Sequence, residues 1–297
     1  MRILITGAGG LLGGRLCEVL AREHQVIGVI RRYAGPEGIP ARVADLTDEA
    51  EIVEILRLER PDAVIHAAAL ADAEVCEREP ERARLDNIIA TSRLASACAR
   101  AGSRLIALST DLVFGGTRAF SNETARPDPR MEYGRSKLAA EAAALSACPG
   151  AVIFRVGLVC GRGHGSRRTA TEALADRLGR SEAVNLYEDE WRTPVGSTSV
   201  ADALSAVLKR PEAAGIFHIA GAERVTRVQL GERVATLLGL DLSRIRRASQ
   251  RTHQGAPRPA DVSLDISRAR AELGWVPEPL DVAILAGRDE RTTSAVP

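Results

Sequence analysis

Three glycines at a three-residue spacing, Gly7, Gly10 and Gly13, stand between a short apolar run and an amphipathic one. Residues 2–6 (Arg-Ile-Leu-Ile-Thr) read as a buried strand, and the stretch through Leu16, Val19 and Leu20 reads as a helix. Few backbones accept that pattern. It predicts a tight turn out of a strand, close approach of the backbone to a pyrophosphate, and close packing of helix on strand. The first helical turn, with Leu11 and Leu12, would offer free N–H groups and a positive dipole end to that anion. A second strand at residues 26–30 follows about 20 residues on, where a dinucleotide-binding βαβ unit needs one.

That second strand ends in Arg31-Arg32, with no Asp or Glu at the position that would hold a ribose 2′-hydroxyl. Two guanidiniums suit a 2′-phosphate by charge and by bidentate geometry, so NADP(H) is expected over NAD(H). Asp45-Leu46 follows a third short strand at residues 42–44, either meeting an adenine edge or leading into a helix N-cap at Asp48-Glu49.

Strand-like and helix-like segments continue to alternate: strands at 62–66, 105–109 and 151–156, and helices at 81–101 and from about 132 to 146. This alternation predicts an α/β fold, a Rossmann-type doubly wound parallel sheet with ligands outside the carboxyl ends of its strands. Residues 1–156 would form the dinucleotide-binding domain, with 196–220 returning to it. Residues 157–195 and 221–286 would form a smaller C-terminal substrate-binding domain. Within it, 161–165 reads as a flexible loop, 185–196 as an irregular polar segment and 228–238 as a helix, while 287–297 reads as a disordered tail.

Tyr133 and Lys137 lie in the second of those helices. The chain has three Tyr and 40 basic residues, of which two are Lys and the other 38 Arg. A Tyr four residues before a Lys should arise in about 2 of 100 chains of this composition. That spacing puts both side chains on one helix face. An ammonium beside a phenol favours phenolate and should lower its pKa from about 10, which makes tyrosine a usable proton donor or acceptor. His66, by contrast, reads as a packed strand residue.

Composition excludes several other classes. Forty basic residues are balanced by 39 acidic ones along the whole length, so no nucleic-acid surface is expected. No apolar run reaches the roughly 18 residues of a membrane span and no leader precedes the first strand, so a cytoplasmic protein is expected. Cys17, Cys76, Cys98, Cys148 and Cys160 include no Cys-x-x-Cys pair, and no metal is expected.

The order Gly7-x-x-Gly10-x-x-Gly13, His66-Ala-Ala-Ala69, Ser109-Thr110-Asp111-Leu-Val-Phe-Gly115, Tyr133-x-x-x-Lys137 resembles the extended short-chain dehydrogenase/reductase family. The segments around Thr110 and Tyr133 look most like its dTDP-4-dehydrorhamnose reductase branch, which also contains the regulatory subunit of methionine adenosyltransferase. Arg192-Thr-Pro-Val-Gly196, His218-Ile-Ala-Gly221, Arg258-Pro-Ala-Asp-Val and Leu273-Gly-Trp275 extend the likeness across residues 1–280. The resemblance implies Tyr133 as general acid, Lys137 on the nicotinamide ribose, Thr110 on the substrate carbonyl and Asp111 orienting substrate or capping a turn. Ala67, Ala68 and Ala69 would line the nicotinamide side. Arg192 and Arg258 would contact a diphosphate or form salt bridges. Helices 81–101 and 132–146 would pair in a homodimer.

Two departures qualify it. Val156-Gly157-Leu158 replaces a Ser-Trp pair that would wall a deoxysugar, and Asp111-Leu112 replaces the Asp-Glu of the dehydratases. The expected activity is NADP(H)-dependent reduction of a keto group on a sugar or nucleotide-sugar. An NAD-dependent epimerase and a non-catalytic cofactor-binding subunit are the alternatives.

Overall fold

The computed structural model describes residues 1–31, 35–252 and 255–287. Seven parallel strands form one sheet: β1 (Arg2–Thr6), β2 (Gln25–Ile30), β3 (Ala41–Val43), β4 (Ala63–His66), β5 (Arg104–Thr110), β6 (Val152–Val156) and β7 (Gly215–Ile219). Their spatial order is β3-β2-β1-β4-β5-β6-β7. The order reverses between β1 and β4, and that switch point opens a crevice at the carboxyl ends of both strands.

The strands are apolar on both faces because helices cover both. Along β1, Ile3 and Ile5 join one hydrophobic cluster and Leu4 the other, and Ala63 and Ile65 alternate with Val64 along β4 in the same way. One face packs against α1 (Leu11–Leu20) and α8 (Ser197–Leu208). The other packs against α2 (Glu49–Glu59), α5 (Ala90–Ala101) and α6 (Glu132–Ala147). Between α2 and α5 lie the short α3 (Ala73–Arg78) and α4 (Pro80–Ala83).

Two expected elements differ in detail. The helix read over residues 81–101 is broken by a π-helical turn, Arg84–Ile89, between α4 and α5. The segment 185–196 is not irregular. Val184–Tyr187 pairs with Ile245–Ala248, Trp191–Arg192 with Val225–Thr226, and Val195–Gly196 with Val159–Cys160. Pairs two residues long are too short to show alternation in a sequence. They frame a third hydrophobic cluster, built on α7 (Ala170–Gly179) and α9 (Arg227–Leu238), that faces the crevice from the C-terminal side of the chain. The tail from residue 288 lies outside the described residues.

A buried ion pair clasps α6 to the sheet. Arg155 on β6 donates from Nε and Nη2 to both carboxylate oxygens of Glu141 at 2.7–3.2 Å, and Ser109 on β5 donates to the same carboxylate. Both side chains are under 5% exposed. Removing one partner strands the other charge in a dry interior. Arg155→Met should therefore lower unfolding stability by about 3–5 kcal/mol in chemical denaturation. Arg57→Ala, which breaks an exposed pair with Glu54, should leave the midpoint where it was.

Candidate active site

The glycine loop leaves β1 with Gly7 at φ +70°, a left-handed turn that glycine adopts without strain. Its backbone lies against the loop after β4, so that a Cβ on Gly7 would stand 2.7 Å from the Ala68 nitrogen. A Cβ on Gly13 would stand 2.2 Å from the Gly7 carbonyl oxygen. The loop folds on itself through a 2.8 Å bond from Gly10 N–H to that same carbonyl. Helix α1 then starts at Leu11 with no capping side chain among the described residues, whereas α2, α7 and α9 are capped by Asp48, Thr169 and Thr226. This leaves N–H groups of Leu11 and Leu12 at the mouth of the crevice, the arrangement a pyrophosphate needs.

A chain of buried hydrogen bonds holds β1 and β4 in this register. The Ala68 N–H donates to Thr6 Oγ1 (3.2 Å), Thr6 Oγ1 meets His66 Nδ1 (2.8 Å), and His66 Nε2 meets Thr91 Oγ1 (2.9 Å). Thr91 donates onward to the Asn87 carbonyl (2.6 Å), so it must accept from His66, which places the imidazole proton on Nε2. Burial pushes His66 down to about 3 and keeps it neutral. It is a structural histidine.

Arg31 ends β2 as expected, but its guanidinium is already held. Nη1 and Nη2 donate to the two carboxylate oxygens of Asp86 at 2.8 and 3.1 Å, and Asp45 lies at 3.8 Å. Arg32 lies outside the described residues. Asp45 turns its Oδ1 to the N–H and hydroxyl of Thr47, and the N-cap of α2 is Asp48. Leu46 packs against the second hydrophobic cluster. Ala67 and Ala68 are half-buried beside the glycine loop and Ala69 is exposed.

Thr110, Asp111, Tyr133 and Lys137 come together where β5 ends and α6 begins. Gly134 permits this approach, since a Cβ there would stand 2.2 Å from the Leu112 carbonyl oxygen. The Tyr133 phenol lies near the Thr110 hydroxyl, which favours its ionisation. Thr110 Oγ1 donates to Asp111 Oδ1 (3.1 Å) and accepts from the Leu112 N–H (3.2 Å). Burial pushes the Asp111 carboxyl up to about 6 against the opposing pull of Arg192. Its Oδ2 has no hydrogen-bond partner among the described residues. Burial pushes the Lys137 ammonium down to about 8, opposed by Glu141 one turn further along α6.

The expected depression of the Tyr133 pKa is not what this arrangement gives. Burial, then the negative charge of Asp111, hold the phenol above its ordinary value, and the nearby Thr110 hydroxyl only partly offsets them. Desolvation and Asp111, not the lysine one turn along, set the direction.

Asn87, in the π-helical turn, was not anticipated. Its side chain accepts from the Leu70 N–H (2.7 Å) and donates to the Leu70 carbonyl (3.1 Å) and Ser136 Oγ (2.9 Å), while Ser136 donates to the Tyr133 carbonyl (2.8 Å). It ties the loop carrying Ala67–Ala69 to the helix carrying Tyr133 and Lys137.

Beyond Asp111 opens a cavity of about 320 Å³ walled in part by Leu158, Glu190, Arg192, Arg227 and Arg258. Leu158 stands where an aromatic wall was looked for. Arg192, expected at a diphosphate or in a salt bridge, forms the salt bridge: its Nη2 is 3.1 Å from Glu190 Oε1. Its Nη1 donates to the carbonyls of Trp191 (2.7 Å) and Pro259 (3.4 Å). Arg258 Nη1 is 3.6 Å from Glu190 Oε2, and Arg227 Nε is 3.8 Å from Oε1. Glu190 and Arg227 were missed because no local pattern marks them.

Comparison with known proteins gives a consistent neighbourhood. Residues 1–286 match the family described as the RmlD substrate binding domain. The chain is 34% identical over 279 residues to the protein named "Probable low-salt glycan biosynthesis reductase Agl14" of Haloferax volcanii, covering 92% of this chain and 93% of that one. It is 32% identical over 273 residues to methionine adenosyltransferase 2 subunit beta of Xenopus laevis, covering 90% and 81%. The structure titled as a hypothetical dTDP-4-dehydrorhamnose reductase from Sulfolobus tokodaii superposes with a TM-score of 0.84 at 31% identity, covering 95% of this chain and 98% of that one.

The backbone contacts of the loop set a test. Gly13→Ala forces its new methyl against a carbonyl oxygen and should weaken dinucleotide binding about tenfold or more in a fluorescence titration, a cost of roughly 1.4 kcal/mol. Gly150→Ala, whose Cβ would meet nothing within 4 Å, should bind as the parent does.

Proposed function

The chain belongs to the RmlD substrate binding domain family, among the NAD(P)-dependent oxidoreductases of the extended short-chain dehydrogenase/reductase type, and from that premise we propose that it is an NADP(H)-dependent reductase of a keto group on a sugar or nucleotide-sugar. The observation carrying the reading is that Thr110, Tyr133 and buried Lys137 meet at the carboxyl edge of the sheet, next to the cavity.

The residues present fit a dinucleotide: the tight backbone contacts at Gly7 and Gly13 hold the loop in a turn that only glycine allows, and α1 has no side-chain cap among the described residues. Gly7, Gly10, Leu11, Leu12 and Gly13 would hold the pyrophosphate, Ala67, Ala68 and Ala69 the nicotinamide side, and Asp45 and Leu46 the adenine end. Arg31 and Arg32 would meet a 2′-phosphate, with Asp86 competing for Arg31; NAD(H) is the alternative for that reason. When bound, the cofactor supplies the hydride.

The protein's own contribution is position and proton. Because Tyr133 is held above its ordinary pKa, it stays protonated at neutral pH and can give that proton to the carbonyl oxygen. Thr110 would hydrogen-bond the same oxygen. The Lys137 ammonium, maintained by Glu141, would then stabilise the phenolate left behind and contact the nicotinamide ribose. Asp111 and Arg258, which line the cavity, would orient the substrate, with Arg192 behind them.

The likeness to a methionine adenosyltransferase beta subunit favours a second reading, a cofactor-binding subunit without turnover. An assay of NADPH oxidation over keto-sugars and nucleotide-keto-sugars separates the two. With an active substrate, Tyr133→Phe should lower kcat by about 10²–10⁴ through loss of the proton donor, and full turnover in that variant would sink the assignment. Lys137 must carry its charge, and it loses that charge as pH rises through about 8. The rate of reduction should therefore fall above that pH. An alkaline limb at the ordinary lysine value of about 10.4 would show that burial does not control it.

A further inference from the structure

We propose that Glu190 is a specificity-determining residue that accepts a hydroxyl of the substrate sugar ring, with Asp111 accepting a second, and that Arg192 and Arg227 serve to hold Glu190 rather than to bind a diphosphate. The inference rests on the reductase reading and deepens it by naming what the cavity recognises.

Three buried polar atoms on this cavity's residues lack hydrogen-bond partners among the described residues: Asp111 Oδ2, Glu190 Oε2 and Arg227 Nη1. Asp111 is 4% exposed and Glu190 2%. Buried polar atoms of this kind are normally paired; Glu190 Oε2 has the Arg258 guanidinium at 3.6 Å, beyond hydrogen-bond length, and each of the three can still take a hydrogen bond from or to a ligand atom. Two are carboxyl oxygens and one is a guanidinium N–H. The complementary ligand therefore brings two O–H donors and one acceptor in a small space, which describes a ring carrying several hydroxyls.

Charge argues against a phosphate in the same place. Arg192 is 5% exposed, and its terminal nitrogens are engaged by Glu190 and by two backbone carbonyls. Arg227 and Arg258 also turn toward Glu190, at 3.8 and 3.6 Å. The cavity is lined by Asp72, Glu74, Asp111 and Glu190 together with Arg192, Arg227 and Arg258, four acidic residues to three basic ones. A doubly charged diphosphate would find no surplus positive charge to repay its desolvation. A neutral ring needs none. Arg258, with 40% of its side chain exposed, is the arginine placed to meet a phosphate from outside the cavity.

The test uses the full chain with NADPH, a dTDP-linked 6-deoxy-4-keto-hexose, and its analogues lacking the C2 or the C3 hydroxyl. Turnover is read as kcat/KM. Binding of the corresponding 4-hydroxy dTDP-sugars to the NADP⁺-saturated protein is read by calorimetry. The wild type should lose about tenfold or more on at least one hydroxyl deletion, because a site built to bond a hydroxyl rejects its absence. In Glu190→Gln the same deletion should cost about threefold or less, with NADPH affinity unchanged. Should the variant fail to fold, flat wild-type ratios still overturn the inference. Flat ratios in the wild type, or an undiminished ratio in a folded variant, overturn the inference while leaving the reductase reading intact. Hydroxyl-dependent binding without turnover overturns the reductase reading and keeps this one, and neither binding nor turnover across the panel overturns both.

Discussion

Desolvation at the junction of β5 and α6 is the constraint from which the rest of the site follows. Withdrawing Tyr133, Lys137 and Asp111 from water biases each toward its neutral form: phenol, amine and carboxylic acid. For the phenol that bias suits the proposed role, since a proton donor must arrive protonated. For the lysine it is adverse, and the fold answers with Glu141, placed one helical turn beyond and fixed by Arg155 and Ser109. The clasp that secures α6 to the sheet thus also supplies the negative potential that keeps Lys137 charged near neutrality.

Position is fixed by a second set of buried polar links, running across the switch point rather than along α6. Ala68, Thr6, His66 and Thr91 lock the loop after β4 to the loop after β1. Asn87 carries that order across to Ser136 and the backbone of Tyr133. A ligand spanning from the glycine loop to the cavity would lie against one connected hydrogen-bonded wall. Every member of the set has its partners, and such a network specifies one geometry where an apolar contact would tolerate several.

How legible this was depends on whether the information is local. Gly7, Gly10 and Gly13 were readable because each has a steric task within one strand–turn–helix, and the contacts with Ala68 and Gly7 are those tasks. The i, i+4 spacing of Tyr133 and Lys137 was readable for the same reason. The sign of the Tyr133 shift was not, since it turns on burial, which sequence spacing does not carry. Asp86, 55 residues from Arg31, claims a guanidinium that sequence reading had assigned to a phosphate. Glu190, Arg227 and Arg258 come from three separate segments, and only the two-residue strand pairs around Trp191 and Val225 bring the first two together.

The alternative of a binding subunit without turnover meets a physical objection in this same geometry. Burying Lys137, Asp111 and Glu190 costs stability, since each charge must be desolvated and each unpaired oxygen forgoes a bond to water. A scaffold that only held a dinucleotide would need the glycine loop, α1 and the loop after β4, and nothing beyond β5. It would be more stable with apolar side chains at the other three positions, because local conflicts of that kind persist where function compensates for them. Buried polar atoms without partners also occur elsewhere, at His218 and Arg155 among others, but Lys137, Asp111 and Glu190 lie together at one end of the sheet, beside a cavity of about 320 Å³. That concentration is what chemistry at a carbonyl requires and what cofactor binding alone leaves without a cause.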